Sequence, residues 1–370
     1  MKTNKADLDK TNSKNQVIDN RSKNEIGKNK RSKYAEASFL SLGQAATAGA
    51  MLLLISTAPN LITKATVEDF VPGKTISFTD WFIIGAPHAV IGLLISWNII
   101  FLFIRPEINS LSVSKKQFRN SLKRKGKVTR EEKIVLSILF SALILWIVPS
   151  LIRSFYPQDL NGNDEMDIMS IIFYNFAKNI PESVPALFII LAIGLIRIKR
   201  SNRDSFATTY PLLNWNEMIK AIDWNIVFLF GGGLVLGLGI ESSGLASWIG
   251  NQISSNAEAS LTESSIFAIS AIMGFIMSYA ASNTASAVIM CPIAGSLAAG
   301  AGFNPIPPII AAGLAASISS AIPSTTPPMA IIYSSKAVGI LNMFKTGIVS
   351  DFIRLAILVF VGPILIDLVF

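Results

Sequence analysis

The chain has 370 residues, of which 51% are hydrophobic and 15% charged, and it carries a formal net charge of +8 with a single cysteine. Several apolar runs approach the roughly 20 residues that cross a bilayer as a helix, so the lipid bilayer is an expected partner and a soluble globular protein is excluded. The lone Cys291 excludes an intrachain disulfide. The positive charge falls in loops, so nucleic acid is not an expected partner.

The N-terminal part divides into a tail and one apolar unit. Residues 1–34 are polar and lysine-rich, which predicts a disordered cytoplasmic tail and not a signal peptide. Residues 35–104 hold a small-residue helix that we expect to break at Ser56–Asn60, because proline removes a backbone donor. A simple proline kink is the alternative. Lys64–Thr79 predicts an external loop, and Asp80–Ile104 predicts the following span.

The middle of the chain alternates basic loops with apolar runs. Residues 105–133 form a strongly basic loop, which we expect to be cytoplasmic, and residues 134–262 hold scaffold spans and an external amphipathic segment. The predicted spans are Ile134–Ile152, Glu182–Ile196 and Asn225–Ile240. The acidic loop around Asp164 is external and the basic cluster Arg197–Arg203 is cytoplasmic. This pattern places the N-terminus in the cytoplasm and the C-terminus outside.

Residues 263–346 carry an uncharged polar cluster, Ser282-Asn283-Thr284, within an apolar region. Ile266–Ala281 and Ala285–Ala301 flank an uncharged polar tip, and each is short for a bilayer crossing, which predicts a re-entrant hairpin entered from outside. Asn304–Ile322 is then a half-helix interrupted at Pro323–Pro328. Residues 347–370 are the last span, with apolar character from Phe352 onward.

Two stretches of the sequence are alike. Gly43–Thr47 precedes the first proline break as Gly313–Ser317 precedes the second, and the predicted topology runs them in opposite directions. Opposite orientation indicates an inverted-topology repeat, in which substrate binds where the repeats meet. A first hairpin, counted back from the first break, would fall in the polar tail. We therefore expect the N-terminal part of the first repeat, and half of the site, to be missing from this chain.

The polar tip and the second break together carry a family resemblance. Ser282-Asn283-Thr284 followed by Thr325-Thr326-Pro327-Pro328 resembles the divalent anion/sodium symporter family, the sodium-coupled dicarboxylate and sulfate carriers. The similarity covers residues 34–370, roughly the C-terminal two thirds of a member. It implies a secondary transporter and not an enzyme, located in the cell membrane and working by an elevator-like movement as a homodimer. Sodium is the implied coupling ion, and no other cofactor is implied.

The resemblance also implies residue roles. The divalent anion would contact the tip and the second break, at Ser282, Asn283, Thr284 and Thr326. Sodium would be held at Ser278, Ala281, Asn283, Thr325 and Pro327, and in the remnant of a first sodium site at Ser56 and Thr57. Met329, where many members have asparagine, and the sequence around Ser56 depart from the family pattern.

The residues themselves favour sodium over a proton. Every carboxylate near a span, Asp351 included, is expected at a span end, whereas a proton-coupled carrier needs a buried titratable group. Hydroxyls, an amide oxygen and carbonyls freed at helix breaks suit sodium, a hard cation. Which anion is carried stays open, since no arginine is expected to clamp a carboxylate. The alternatives are a truncated or split carrier that is inactive alone, and an uncoupled anion channel.

Overall fold

The computed structural model describes residues 32–107, 128–155, 183–202, 205–222 and 262–370, with residue 175 and scattered positions between 224 and 248. Within these residues the fold is mainly helical. In chain order the helices are α1 (Lys33–Gly49), α2 (Ala58–Phe70), α3 (Phe78–Phe103), α4 (Arg130–Phe155), α5 (Ser183–Leu195), α6 (Trp215–Ala221), α7 (Glu263–Ala280), α8 (Asn283–Gly300), α9 (Ile306–Ala316), α10 (Pro327–Ser334) and α11 (Ile340–Asp367).

A small antiparallel sheet lies between α5 and α6. Strand β1 (Arg197–Asn202) pairs with β2 (Ser205–Pro211), where the sequence predicted only a basic loop. The helical class predicted for the chain is otherwise confirmed.

Five of the described helices are long and apolar enough to cross a bilayer, namely α3, α4, α7, α8 and α11. They expose large apolar side chains, including Phe101, Phe140 and Phe360, which would be costly in water and are at home in lipid. The chain is therefore a multi-pass membrane protein. Helices α7 and α8 have 18 residues each, a length that fits either a crossing or a re-entrant hairpin.

The first predicted helix break is present and is longer than expected. Helix α1 ends at Gly49, a short 3-10 turn follows at Leu54–Ser56, and α2 begins at Ala58. Pro59 lies in the first turn of α2, where its missing N–H leaves no helical bond unmade. Asn60 holds the gap together, because its Nδ2 donates to the carbonyls of Ala50 and Leu53 at 2.8 Å each.

The prediction of a loop at Lys64–Thr79 is wrong for its first half. Helix α2 continues to Phe70, and Lys64 is buried within it. The ammonium of Lys64 pairs with Glu68 one turn later at 2.5 Å and donates to the carbonyl of Ile76 at 2.9 Å. Because the charge is satisfied inside the fold, the helix does not have to end where the sequence turns polar.

The second break has the same local structure as the first. Helix α9 ends at Ala316 and α10 begins at Pro327, so the gap of residues 317–326 is longer than the predicted Pro323–Pro328. Thr326 precedes α10 in an extended conformation (φ −141°, ψ 148°), as Thr57 precedes α2 (φ −154°, ψ 153°). Each threonine is followed by proline in the first helical turn, and neither side chain caps its helix.

Helices α7 and α8 form a tight helical hairpin. Only Ala281 and Ser282 separate them, and both helices pack against α9. Ser282 caps α8, with its hydroxyl accepting from the Ala285 N–H at 3.3 Å. The polar residues that attracted attention in the sequence therefore lie at the turn of a helix pair.

Glycines bring the two broken helices into direct contact. A Cβ on Gly43 of α1 would overlap Ile332 of α10, and a Cβ on Gly313 of α9 would overlap Thr63 of α2. The first half of each broken helix thus packs on the second half of the other. Thr63 and Ile332 each lie six residues after the threonine that precedes their helix. Corresponding residues therefore make corresponding contacts.

A second pair of contacts follows the same rule. A Cβ on Gly85 of α3 would overlap the carbonyl oxygen of Met51 in the first gap, and one on Gly347 of α11 would overlap the backbone of Ala321 in the second. Met51 and Ala321 each lie eight residues after the contact glycine of α1 or α9. The next helix after each broken helix, α3 in one case and α11 in the other, therefore packs back against that break in the same way.

The last helix corrects the placement of Asp351. Helix α11 begins at Ile340, earlier than the predicted last span at 347–370, because Lys345 lies exposed on one side of the helix and does not end it. Asp351 is therefore inside a membrane-length helix and is 0% exposed. The expectation that every carboxylate lies at a span end is wrong, because Arg354 and neighbouring hydrogen-bond donors neutralise this one.

Two further residues, Cys291 and His88, are buried. Cys291 lies in the core, with its Sγ 3.7 Å from Thr63 Oγ1. His88 is also buried, and its Nε2 makes no hydrogen bond within the described part of the chain. The remaining predictions concern the tail through residue 31, the basic loop at 108–127, the acidic loop around Asp164, the span at 225–240 and the segment at 242–262, which lie wholly or mostly outside the described residues.

Candidate functional site

A cavity of about 620 Å³ lies where the hairpin turn meets the two helix breaks. Its walls come from the ends of α1, α2, α8, α9 and α10. Eight residues singled out in the sequence line it, namely Ser56, Thr57, Ser282, Asn283, Thr284, Thr325, Thr326 and Pro327. The other lining residues are Ala46, Thr47, Gly49, Ala50, Ser317 and Pro328, so the described walls carry hydroxyls and one amide but no charged side chain.

Three helix N-termini point to this cavity. Thr57, Ser282 and Thr326 are the residues that precede α2, α8 and α10, and all three line the cavity wall. A helix N-terminus carries partial positive charge and backbone N–H groups without helical partners. Convergence of three of them gives an uncharged pocket that favours an anion.

Two hydroxyls in the wall are available to a ligand. Thr326 Oγ1 is buried and has no hydrogen-bond partner among the described residues. The side chain of Thr57 makes no capping bond either. An unpaired buried hydroxyl costs free energy, so a group that would complete its hydrogen bonding is expected to bind beside it.

Asn283 joins the hairpin turn to the second break. Its backbone N–H donates to the carbonyl of Thr325 at 3.1 Å, and its Oδ1 accepts from Ser319 Oγ at 2.8 Å. With the amide orientation fixed in this way, its Nδ2 makes no hydrogen bond within the described structure. The amide can therefore present N–H donors to an anion while Oδ1 keeps a second lone pair for a cation.

The hydroxyl of Thr325 is already used. Its Oγ1 donates to the carbonyl of Ile322 at 2.9 Å, and its side chain is buried. The oxygen retains acceptor capacity, which is what a sodium ion would need.

Two residues assigned to sodium by the resemblance do not line the cavity. Ser278 is fully buried one turn before the end of α7, and its hydroxyl donates to Phe275 O at 2.7 Å. Ala281 directly follows α7, and its N–H donates to Met277 O at 2.8 Å. Sodium bound by either of these residues would lie behind the hairpin turn and not in the cavity.

Sequence reasoning missed Thr47 and Ser317, which line the cavity at the ends of α1 and α9. Their hydroxyls donate back to the carbonyls of Gly43 and Gly313, at 3.0 and 3.4 Å. The repeated five-residue stretch already ended in a hydroxyl in both copies, and that signal could have identified them. Ser319 was also missed, because nothing local in the sequence indicates its bond to the hairpin.

Comparison with known proteins agrees with the geometry. A family model described as the sodium:sulfate symporter transmembrane region matches residues 16–369. A sodium-dependent dicarboxylate transporter of Staphylococcus saprophyticus is 28% identical over 331 residues, covering 89% of this chain and 59% of the relative. The transporter of the same name from Staphylococcus aureus is 28% identical over 343 residues, with 91% and 60% covered. The chain therefore spans about 60% of the length of these curated relatives.

Proposed function

The chain belongs to the sodium:sulfate symporter family, and from this premise we propose that it carries a divalent anion together with sodium across the cell membrane. The observation that carries the proposal is the uncharged cavity at which three helix N-termini converge. Family and relatives are transporters, not enzymes. Sodium coupling of this kind of transport is a property of the family.

The anion would bind at the hairpin turn. Ser282, Asn283 and Thr284 would donate from α8, and Thr326 would donate from the second break. Neutral donors supported by helix dipoles can hold a dianion that enters and leaves quickly, whereas a buried arginine clamp would hold it more tightly. We propose a dicarboxylate as the first substrate to test, because the curated relatives are named for it.

Sodium would bind on both sides of the anion. One ion would use Asn283, Thr325 and the backbone near Pro327, with Ser278 and Ala281 supporting it. A second ion would use Ser56 and Thr57 at the first break. Hydroxyl and carbonyl oxygens are suitable ligands for a hard cation.

The two breaks would belong to an inverted-topology repeat, and the α7–α8 pair would be a re-entrant hairpin entered from outside. The reciprocal contacts of Gly43 with Ile332 and of Gly313 with Thr63 support the repeat, because a two-fold relation exchanges them. Elevator-like movement, a homodimer, a cytoplasmic N-terminus and an external C-terminus complete the proposal. These four features rest on the family resemblance and the basic loops.

A second hairpin would complete the site. Helices α7 and α8 lie directly against Ala312 and Ile309 of α9. The corresponding residues of α1, at the same distances before its contact glycine, are Leu42 and Phe39, which are 66% and 38% exposed. We propose that a hairpin of the same kind covers this face, so that the described residues alone would form half of a two-sided site.

Uptake of labelled succinate and sulfate into proteoliposomes tests the function. Succinate uptake that requires an inward sodium gradient and falls by about tenfold or more in Asn283→Ala supports the proposal. Uptake that persists when choline replaces sodium, or that is unaltered by Asn283→Ala, contradicts it. Currents that follow only the anion gradient would favour an uncoupled channel.

Completeness of the site has its own test. The chain is reconstituted alone and together with the N-terminal region of the Staphylococcus aureus relative, and uptake and labelling of Leu42→Cys by a lipid-soluble maleimide are measured. Activity and protection of Leu42→Cys that appear only with the added region support the second hairpin. Equal activity without it, with Leu42→Cys still labelled, contradicts the half-site.

A further inference from the structure

A buried ion pair in α11 contacts the gap between α9 and α10. Asp351 and Arg354 lie one helical turn apart and are 0% and 4% exposed. Arg354 Nη1 is 3.5 Å from Asp351 Oδ1. Neither residue lines the cavity, and the proposed binding scheme uses neither of them directly.

The carboxylate is surrounded by donors from two other segments. Asp351 Oδ2 accepts from the backbone N–H of Ser320 and from the hydroxyl of Tyr279, both at 2.6 Å. Its Oδ1 accepts from Ser320 Oγ at 2.8 Å. Ser320 is thus fixed by two bonds in the gap, and Tyr279 is fixed two residues before the hairpin turn.

The guanidinium holds the gap at a second point. Arg354 Nη1 donates to the carbonyl of Ile318 at 2.9 Å, and Nη2 lies 3.5 Å from Met51 Sδ in the first gap. Gly92 of α3 leaves room for this side chain, since a Cβ there would lie 2.9 Å from its Nε. One turn of α11 therefore contacts both helix breaks.

Arg354 and Asp351 hold the residues on both sides of Ser319, and Ser319 orients the amide of Asn283. Ile318 is held by Arg354 and Ser320 is held by Asp351, so Ser319 between them has little freedom to move. Ser319 Oγ donates to Asn283 Oδ1. A shift of the ion pair would therefore move the backbone on both sides of Ser319. The hydrogen bond from Ser319 would then move the amide of Asn283.

We propose that Asp351 and Arg354 are positioning residues that hold the gap at 317–326 in shape and thereby set the sodium affinity of the cavity. The inference rests on the proposed function, because it takes Asn283 and the carbonyls of this gap as sodium ligands. It extends that function by two charged residues for which the binding scheme has no role.

Two neutral double variants separate positioning from charge balance. Asp351→Asn with Arg354→Gln removes the charges but keeps an acceptor for the Ser320 N–H and a donor for the Ile318 carbonyl. Asp351→Leu with Arg354→Leu removes the charges and both anchors. Each double variant avoids leaving one buried charge unpaired, which would be strongly destabilising by itself. A purely electrostatic role predicts the same behaviour for both.

The first measurement does not depend on transport. A cysteine is introduced at Ser324, which is exposed in the gap, and its rate of maleimide labelling is followed in the full chain; the native Cys291 is 0% exposed. The Leu/Leu variant should label about tenfold faster than the parent and the Asn/Gln variant within about twofold of it. Equal rates in the two double variants would overturn the anchoring.

The second measurement is sodium-driven succinate uptake. The sodium concentration for half-maximal uptake should rise about tenfold in the Leu/Leu variant and stay within about twofold in the Asn/Gln variant. The same sodium requirement in both would overturn the effect on affinity. Wild-type chain without sodium-dependent uptake, both alone and together with the added N-terminal region, would instead refute the proposed function, and the labelling result would still decide the anchoring.

Two further variants distinguish the loss of anchoring from a general loss of folding. Ser320→Ala deletes one bond to Asp351 and leaves the ion pair intact, so both readouts should move in the same direction by about threefold. An unchanged sodium requirement in this variant would contradict the proposal. Lys345→Gln, on the exposed side of the same helix, is the matched control and should change neither readout.

Discussion

The hydroxyl of Ser319 donates a hydrogen bond to the side-chain oxygen of Asn283 across 2.8 Å, and so joins the second helix break to the hairpin turn. The two residues are 36 positions apart in the sequence, with Asn283 at the start of α8 and Ser319 after the end of α9. Both groups are buried, so the bond is shielded from water. Among the described residues that line the cavity, Asn283 carries the one side-chain amide, and its orientation depends on this contact.

Removing that hydroxyl should weaken binding without unfolding the protein. In Ser319→Ala the amide of Asn283 is free to rotate, and the loss of one neutral hydrogen bond of about 1 kcal/mol predicts roughly a fivefold rise in the succinate concentration for half-maximal uptake. Uptake kinetics in proteoliposomes measure it. Ser334→Ala, at the exposed end of α10, is the control. Unchanged kinetics in Ser319→Ala would show that the orientation of the Asn283 amide does not affect binding.

Thr326→Val should weaken substrate binding without lowering the stability of the fold. The Thr326 hydroxyl is buried without a partner in the described structure, so an isosteric methyl costs no existing hydrogen bond and the melting temperature should stay the same or rise. Substrate affinity should fall by about tenfold, because one donor to the anion is lost. Thermal unfolding in detergent and uptake assays measure the two effects. A lower melting temperature with normal affinity would show that the hydroxyl has a structural partner instead.

Gly313→Ala should be more harmful than Gly43→Ala. The new methyl at Gly313 meets Thr63, a β-branched side chain whose hydroxyl is bonded to the Pro59 carbonyl at 2.8 Å. The new methyl at Gly43 meets the end of Ile332, which can rotate away. We expect about 1–3 kcal/mol of destabilisation for Gly313→Ala and less for Gly43→Ala. Thermal unfolding of the two variants decides the order.

Glu107 should make the start of α1 sensitive to acid. Its carboxylate accepts from the backbone N–H groups of Lys33 and Tyr34 at 2.9 and 3.0 Å, and these bonds, that of Lys33 first, lower the pKa of Glu107. A lowered pKa means that the stabilisation is complete at neutral pH and is lost as the pH falls through the folded-state value.

A spin label at Ser38→Cys reports on this helix end. Its mobility should rise as the pH is lowered from 7 to about 3, while in Glu107→Gln it should be high over the whole range. Glu132→Gln, which alters a similar cap at the start of α4, should leave the label unchanged. A pH profile that is the same with and without Glu107 would refute the assignment.

Short-range signals in the sequence predicted most of the architecture. Proline after a threonine located both breaks, and the uncharged polar triplet located the hairpin turn, because these residues act on the backbone next to them. The extent of the breaks and of α2 was not predictable, because Lys64 and Asn60 are satisfied by partners that only the folded chain brings near. Asp351 was misplaced for the same reason.

The sequence singled out most of the residues that line the cavity, but it did not identify the residues that hold them in place. Hydroxyl and amide residues that face a ligand are conspicuous in an apolar sequence. Ser319, Arg354 and Tyr279 act through tertiary contacts, and single serines, arginines and tyrosines are common in the sequences of membrane proteins. No sequence spacing connects them, so only the folded structure shows that they converge on one segment.

The contact between Gly92 and Arg354 limits how alike α3 and α11 can be. Gly92 lies seven residues after Gly85, and Arg354 lies seven residues after Gly347, so residues at matching places in α3 and α11 touch each other. Two arginines facing each other there would collide and repel. One of the two places therefore has to be small for the other to hold an arginine, and the likeness of α3 and α11 stops at this contact.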